Sequence, residues 1–198
     1  MPEVSLQKEK ANEYLKQKAK TEKKKITLEI GFGAGENILH MLQREPEEFF
    51  LGCEPFLTGV ANFLSNLKEK DFNRVKLFCA DFRIILNTIS PNIFSRIIIL
   101  FPDPWPKTKH HKRRIINQNN LELFSRTLVK GGIIYVATDI KEYFYEIKNN
   151  FQQNKKYNIL NYDNFEHKPL ELGKTKYEVK AVNNLRVPYY LVAQKTSG

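Results

Sequence analysis

The sequence predicts an α/β fold with a doubly wound, mostly parallel sheet and helices on both faces. Two observations lead to this prediction. Five short β-branched or apolar stretches alternate along the chain with helix-like stretches, which is typical of parallel sheets with helical crossovers. The stretch SRIIILF (95–101) is almost continuously apolar, as expected for a strand that is buried on both faces of such a sheet.

Five strands are predicted from β-branched and apolar runs. In chain order they are KITLEI (25–30), FFLGCE (49–54), RVKLFCAD (74–81), SRIIILF (95–101) and IIYVATD (133–139). The predicted helices are ENILHMLQRE (36–45), FLTGVANFLSNLKEK (56–70), NQNNLELFSRTLV (117–129) and IKEYFYEIKNNF (140–151). A turn at Gly131-Gly132 precedes the fifth strand, and YNILNY and VPYYLVA are strand candidates near the C-terminus.

Length and charge set the broad class of the protein. The 198 residues favour one domain, with a lysine-rich arm over 1–25, mobile or helical, ahead of a domain over 26–198. No apolar run approaches the roughly 20 residues of a membrane span, and the N-terminus lacks a signal-peptide core, so we expect a soluble, cytoplasmic protein. The net charge of +10 indicates a polyanionic partner, with nucleic acid ahead of a membrane surface.

A glycine-rich turn, LEIGFGAGE (28–36), follows the first predicted strand. Gly31, Gly33 and Gly35 allow a sharp turn and a close approach of the backbone to a ligand, although a tight strand-to-helix turn without a ligand has the same pattern. The dinucleotide fingerprint needs glycine at position 36. Glu36 stands there instead and would repel a pyrophosphate, which argues against NAD or FAD.

Carboxylates stand at or near the ends of all five predicted strands: Glu29, Glu54, Asp81, Asp103 and Asp139. Because parallel strands bring their carboxyl ends to one edge, these groups predict an acidic pocket there. Such a pocket suits hydroxyls, amines and a cation, and S-adenosylmethionine offers a ribose diol, an adenine amine and a sulfonium. For Asp81 or Asp139 taken singly, capping of a helix is the structural alternative.

The stretch FPDPWPKTKHHKRR (101–114) predicts a rigid loop, because closely spaced prolines exclude both a helix and a central strand. A dense run of positive charge follows Asp103 at the mouth of the predicted pocket, which favours contact with a phosphate backbone over a merely solvated charge run. No metal-ligand spacing is present, so no metal site is predicted. Trp105 is equally compatible with stacking on a base and with anchoring the loop.

These motifs together resemble those of the bacterial tRNA (guanine-N7)-methyltransferases. FPDPWPKTKHHKRR is similar to the family signature, and LEIGFGAGE, GCEP, CADF and VATDIKEY fit in the same order. TKYEVK (175–180) resembles the family's C-terminal substrate-binding motif, although the following VKAVNNLRVPYY lacks the Arg-Gly and Gly-His steps of many members. The resemblance covers roughly residues 26–193 and implies a class I, Rossmann-like methyltransferase fold with a C-terminal antiparallel hairpin.

The resemblance also implies roles for individual residues. The methyl donor, S-adenosylmethionine, would be bound by Glu29, Gly31, Gly33, Gly35, Glu54 and Asp81. Asp103 would lie between the donor and a guanosine of the tRNA variable loop, as the catalytic residue. The substrate nucleoside would be contacted by Lys107, Asp139, Thr175, Lys176, Tyr177 and Glu178, and the tRNA backbone by Lys109, Lys112, Arg113 and Arg114.

Methylation at N7 requires positioning more than proton transfer, because guanine N7 keeps an in-plane lone pair. We therefore expect Asp103 to accept hydrogen bonds from the guanine and to fix N7 toward the methyl group. The alternatives are a class I methyltransferase for another RNA base, a nicotinamide-dependent oxidoreductase, and a non-catalytic RNA-binding relative. Methylation of another base is disfavoured because the chain lacks the polar-Pro-Pro-aromatic motif. Glu36 argues against the oxidoreductase, and a non-catalytic RNA-binding protein leaves the row of carboxylates unexplained.

Overall fold

Seven strands and seven α-helices make up residues 5–196, the part of the chain that the computed structural model describes. The strands are β1 (Ile26–Ile30), β2 (Phe49–Cys53), β3 (Val75–Phe78), β4 (Phe94–Leu100), β5 (Leu128–Thr138), β6 (Tyr157–Ile159) and β7 (Tyr189–Lys195). The helices are α1 (Lys8–Lys16), α2 (Glu36–Arg44), α3 (Leu57–Asn66), α4 (Phe82–Thr88), α5 (Gln118–Thr127), α6 (Lys141–Gln153) and α7 (Lys176–Asn183). A π-helical turn (Gln17–Thr21) continues α1, and 3-10 turns cover Glu69–Asp71 and Thr108–Arg113.

All seven strands form one sheet in the order β3-β2-β1-β4-β5-β7-β6. Strands β1 to β5 are parallel, and β7 lies antiparallel between β5 and β6. The predicted doubly wound sheet and the C-terminal antiparallel pair are both confirmed. The direction of winding reverses between β1 and β4, so the crevice at their carboxyl ends is the expected ligand site.

The hydrophobic core has two layers, one on each face of the sheet. On β4, Ile97 and Ile99 join the layer that contains α1, α4, α5 and α6, whereas Ile98 and Leu100 join the layer under α2 and α3. Alternate residues of a strand point to opposite faces, so a strand covered on both sides must be apolar throughout. This arrangement explains the continuous apolar run from which β4 was predicted.

The structure corrects the prediction at β5 and adds two helices. Gly131 and Gly132 lie inside β5, not in a turn before it. The pairing of β4 with β5 is irregular there, since Phe94 faces Leu128 but Arg96 faces Ile133. Gly131 has φ +73°, which fits a bulge. Helices α4 and α7 were not predicted: α4 has only seven residues, and α7 begins within the stretch that was interpreted only as a binding motif.

The lysine-rich N-terminal segment packs against the domain from residue 5 onward. Leu6, Ala11 and Leu15 are buried in the same core layer as α4 and α5. The Leu6 N–H donates to the Leu77 carbonyl over 2.8 Å, and the Ser90 N–H donates to the Asn12 side chain, also over 2.8 Å. The lysines of this segment therefore surround an apolar stripe that holds α1 in place. Among the described helices, none is long and apolar enough to cross a membrane.

Candidate active site

A cleft of about 300 Å³ opens at the carboxyl ends of the parallel strands, next to the reversal between β1 and β4. Its walls come from the glycine turn after β1, the loop after β2, the start of α4, the proline-rich loop after β4 and α7. Three of the predicted carboxylates, Glu54, Asp81 and Asp103, line this one cleft. The structure therefore brings together side chains from three strand ends, as the topology requires.

The glycine turn adopts a backbone that only glycine occupies easily. Gly31, Gly33 and Gly35 have φ values of +73°, +56° and +76°. A Cβ atom on Gly35 would lie 2.1 Å from a ring carbon of Phe63, so no side chain fits where α2 begins. The predicted sharp turn is present, and it presents Gly31 and Gly33 to the cleft while Gly35 packs behind it.

Glu54 connects the glycine turn to the loop after β2. The Gly33 N–H donates to Glu54 Oε2 and the Phe56 N–H donates to Glu54 Oε1, each over 2.9 Å. The residue is 5% exposed and lines the cleft. A carboxylate has about four acceptor positions, so two remain for a ligand with adjacent hydroxyl groups.

Asp81 is both a helix cap and a cleft residue. Its Oδ1 accepts from the backbone N–H of Arg83 (2.8 Å) and from Arg83 Nε (2.9 Å), and the Arg83 Nη2 group donates to Oδ2. Burial raises the pKa of Asp81, but the hydrogen bonds and the charge of Arg83 outweigh burial, and the pKa lies below its usual value. Asp81 therefore caps helix α4, as the structural alternative predicted, and about one acceptor position of its carboxylate remains for a ligand.

Glu29 does not reach the cleft surface. It is 3% exposed, and its Oε2 accepts a 2.7 Å hydrogen bond from Asn37 Nδ2. Asn37 Oδ1 accepts in turn from the Gly173 N–H over 2.8 Å, so the pair links the floor of the site to the segment that leads into α7. Burial raises the pKa of Glu29 to about 8; the hydrogen bond from Asn37 lowers it and Glu36 raises it further. Glu29 thus supports the site from behind the glycine turn.

The proline-rich loop after β4 is held in a strained conformation. Phe101 and Trp105 have φ values of +51° and +43°, which non-glycine residues seldom adopt. Arg114 fixes the loop: its Nε donates to the Pro104 carbonyl over 2.7 Å, and its Nη1 pairs with Glu146 on α6. Arg114 is 7% exposed, so its guanidinium supports the loop. The sequence predicted that it contacts the RNA backbone, and its burial argues against that role.

Asp103 lies exposed on this fixed loop and lines the cleft. Within residues 5–196 no donor pairs with its carboxylate, so both of its oxygens are open to a ligand. Trp105 is half-buried beside it, with the Arg113 guanidinium 4.8 Å from the ring centroid and the His110 ring edge-on at 5.9 Å. One open carboxylate is thus presented by a loop whose backbone is fixed at both ends.

The predicted RNA-facing cations divide into two groups. Lys107, Lys109 and Lys112 are exposed on and next to the 3-10 turn, and Arg113 covers Trp105 at the cleft. Of these four side chains only Arg113 lines the cleft, and contact of the three lysines with RNA stays a prediction. Arg114 belongs to the loop support described above.

The remaining predicted substrate residues lie around the start of α7 and the end of β5. Thr175 Oγ1 caps α7 by accepting from the Glu178 N–H over 3.2 Å, and Glu178 Oε2 pairs with Lys168 over 2.6 Å. Of this group only Tyr177 lines the cleft, 3.8 Å from the position of a Cβ on Gly33. Lys176 is exposed, with Nζ 5.2 Å from the centroid of the Tyr177 ring.

Asp139 is engaged elsewhere in the molecule. Its Oδ2 forms a 3.0 Å ion pair with Arg186 Nε, and the residue does not line the cleft. The capping alternative does not apply to it, because the residue that precedes α6 is Ile140 and no side chain caps that helix.

Sequence reasoning missed three residues of this site. Arg83 neutralises Asp81, Asn37 holds Glu29, and Phe56 lines the cleft with 71% of its surface exposed. Arg83 follows Asp81 by only two positions, which was a usable signal. Asn37 and Phe56 offered none, because only the tertiary fold shows which side of their helices faces the site.

Comparison with known proteins agrees with this geometry. The model of the family described as "Putative methyltransferase" matches residues 23–191. A bifunctional methyltransferase of Rickettsia felis is 38% identical over 185 residues, covering 93% of this chain and 35% of that protein. A tRNA (guanine-N(7)-)-methyltransferase of Ruegeria sp. is 33% identical over 177 residues, covering 86% of this chain and 67% of that protein. The chain thus spans about a third of the length of the bifunctional relatives.

Solved structures support the fold alone. The aminoglycoside resistance methyltransferase NpmB1 has a TM-score of 0.59 at 12% identity, with 96% of this chain and 94% of that chain covered. An antibiotic-related methyltransferase has a TM-score of 0.57 at 17% identity, with 96% and 95% covered. Identities this low support the fold, but no substrate.

Proposed function

This chain belongs to the tRNA (guanine-N7)-methyltransferase family, and from that membership we propose that it transfers a methyl group from S-adenosylmethionine to N7 of a guanosine in the tRNA variable loop. One observation carries the proposal: Glu54, Asp81 and Asp103 line a single cleft whose mouth carries an exposed cationic loop. The cleft suits a cationic, hydroxyl-bearing donor, and the loop suits a polyanionic substrate.

The donor site fits S-adenosylmethionine by the chemistry of its acceptors. Glu54 keeps two acceptor positions for a ribose diol, and Asp81 keeps about one for an adenine amine. Gly31 and Gly33 leave room for a close backbone approach. Glu29 acts by holding Asn37 and the turn, not by contact. When bound, S-adenosylmethionine supplies a methyl group that is activated by its positive sulfur.

Asp103 is the proposed catalytic residue because its open carboxylate stands on a loop that cannot shift easily. It accepts hydrogen bonds from the guanine edge and holds N7 toward the methyl group. No residue needs to remove a proton, since the N7 lone pair is available at neutral pH. The guanine gains positive charge during the transfer, and the carboxylates around the cleft stabilise that charge in the transition state. Tyr177 lines the cleft beside the proposed nucleoside site, and Lys107 is exposed on the loop that follows Asp103.

The test uses an unmodified tRNA transcript with a variable-loop guanosine, a labelled methyl donor, and strand cleavage at N7-methylguanosine to locate the product. We expect one methyl group at that guanosine. Asp103→Ala should lower kcat by about 10²-fold or more while donor affinity and melting temperature stay near wild type. Asp163→Ala, which removes an exposed carboxylate far from the cleft, is the matched control and should keep full activity.

Two outcomes would count against the proposal. Near-full turnover by Asp103→Ala would remove Asp103 from the catalytic role. A methyl group at another base, or none in spite of donor binding, would favour the alternatives of a different RNA methyltransferase or a non-catalytic relative.

A further inference from the structure

A second groove, of about 970 Å³, runs along helix α5 between α4 and the ends of β6 and β7. It is lined near the start of α5 by Asn119 and near its end by Arg126, and it reaches Lys195 on β7. A ten-residue helix is about 15 Å long, so the groove is elongated. Arg83 lines both this groove and the donor cleft, which means that the two are adjacent.

The groove is strongly cationic. Its lining includes five basic side chains and a single carboxylate: Arg83, Arg126, Lys155, Lys156, Lys195 and Glu122. The adjacent cleft is more acidic, with three carboxylates and two arginines in its lining. An anion that approaches this side of the molecule is therefore drawn to the groove and repelled from the donor site.

Several of these cations have no acidic partner within residues 5–196. Arg126 donates to the carbonyls of Ile89 and Leu86, and Lys195 Nζ donates to the Leu128 carbonyl over 2.8 Å. These contacts orient the cations but leave their charge uncompensated. Burial lowers the pKa of Lys195, and the neighbouring charge of Lys156 lowers it further, which shows that positive charge is crowded here.

The two lysines before β6 are available to a ligand. Lys155 is exposed and, within residues 5–196, makes no side-chain ion pair. Lys156 pairs with Glu122, but both side chains are about half exposed, and exposed ion pairs contribute little to stability. Exchange of Glu122 for a phosphate would therefore cost little. The amides of Asn87, Asn92 and Asn119 add neutral donors along the same lining.

We propose that this groove binds the sugar-phosphate backbone of the tRNA substrate outside the catalytic cleft. The inference rests on the proposed function for the identity of the RNA. Duplex nucleic acid carries one phosphate about every 3.4 Å along each strand, so a groove of this length can contact several in succession. Contacts of this kind position the RNA without reading its sequence, and the adjacent cleft then acts on one base.

The test is a charge reversal at two exposed groove positions, Asn119→Glu with Lys155→Glu. Neither side chain makes a described hydrogen bond, and an acidic residue in the first turn of α5 is favourable, so the fold should be retained. The matched control carries the same residue changes at the other edge of the sheet, Lys70→Glu with Asn73→Glu, both also exposed. Melting temperatures verify that all proteins are folded.

We expect the groove variant to weaken tRNA binding about 10-fold near 0.15 M salt and to reduce the slope of log K against log salt by one to two. Donor affinity and kcat at saturating tRNA should match wild type. The control should bind tRNA as wild type does. An equal loss in both variants, or a change below about twofold in the groove variant, overturns the proposal.

The two proposals can fail separately. Binding is measured without methyl donor, so groove-dependent tRNA binding supports this inference even if wild type transfers no methyl group. Normal methylation by the groove variant at low tRNA concentration overturns the inference and leaves the proposed function intact. If the groove variant lost binding to anionic phospholipid vesicles but bound tRNA as wild type does, the groove would be assigned to a membrane surface. This result would also overturn the inference.

Discussion

Glu29 is the most deeply buried carboxyl group of the site, and within residues 5–196 it has no cationic partner. Burial raises its pKa from 4.5 to about 8. Between these two values the folded protein keeps a proton that the unfolded chain has released, so the free energy of unfolding falls as pH rises. Above pH 8 the carboxyl group is charged in both states and the loss is complete.

Glu29→Gln should remove this dependence, because the amide keeps an oxygen that accepts from Asn37 and carries no titrating proton. We compare the melting temperature of the variant with that of wild type at each pH. The difference, variant minus wild type, should increase by at least about 2–4 °C from pH 5 to pH 9, which corresponds to about 1 kcal/mol at this chain length. Glu166→Gln, at an exposed position, should show a constant difference. A flat difference for Glu29→Gln would mean that the group is ionised at neutral pH.

At the scale of single residues, the sequence predicted which carboxylates lie at the strand ends better than it predicted which partners they contact. The strand-end rule located Glu54, Asp81 and Asp103 correctly around one cleft, because a parallel sheet leaves its carboxyl ends no other place to meet. The rule could not distinguish the open carboxylate of Asp103 from that of Asp139, which is paired with Arg186. Those two residues are distant in the sequence, and only the fold of the C-terminal segment joins them.

Among the elements, the proline-rich loop depends on Arg114 more than on its prolines. The guanidinium supplies a planar set of donors to the Pro104 carbonyl and to Glu146, and a lysine ammonium cannot reproduce that geometry. Arg114→Lys should lower the free energy of unfolding by about 2–3 kcal/mol, since a buried charge loses part of its pairing.

The same change should lower kcat at least 10-fold, because a shift of about 1 Å in a catalytic loop has effects of up to 10²-fold. Arg44→Lys, at an exposed position at the end of α2, should stay within about 0.5 kcal/mol and keep full activity. Thermal unfolding and single-turnover methylation measure the two effects. Normal stability with normal kcat would show that the loop is held by its own backbone.

Helix α1 offers a test of whether the basic segment is part of the domain. Leu15 is 0% exposed and belongs to the core layer of α4 and α5. Leu15→Ala should cost about 2–5 kcal/mol through lost burial and a residual cavity. Lys10→Ala, at an exposed position of the same helix, should stay within about 0.5 kcal/mol. A loss below 1 kcal/mol at Leu15 would mean that α1 is not packed in solution.

Helices and strands with long apolar patterns were predicted correctly. The prediction failed for elements whose boundaries depend on a helix cap or on a glycine pair. Strands β1, β2 and β4 and helices α2, α5 and α6 were predicted within a few residues because their apolar patterns are continuous. Helix α4 has seven residues and is defined mainly by its Asp81 cap, and α7 begins at the Thr175 cap. The Gly131-Gly132 pair has the composition of a turn, and only its pairing with β4 makes it a bulge.

At the scale of the whole molecule, a protein with a net charge of +10 contains a cleft with three carboxylates in its lining, the proposed donor site. The affinities for the two proposed ligands should therefore differ in how strongly they depend on ionic strength. A protein that makes six or more phosphate contacts loses about 10³-fold in affinity between 50 and 200 mM salt, and we expect a loss of this order for tRNA. Donor affinity depends on short contacts in a partly buried cleft, which salt screens much less.

The decisive comparison uses a tRNA whose variable-loop guanosine is replaced by adenosine. Phosphate contacts carry no sequence information, so this tRNA should bind within about 10-fold of the parent and with the same salt slope. It should accept no methyl group at that position, because adenine lacks the guanine edge that Asp103 is proposed to hold. A much smaller salt slope for the adenosine-containing tRNA would contradict this separation of backbone binding from base selection. Base contacts would then determine how the backbone is bound. Equal slopes with methylation lost would show that phosphate contacts outside the cleft capture the tRNA and that the cleft alone selects the base.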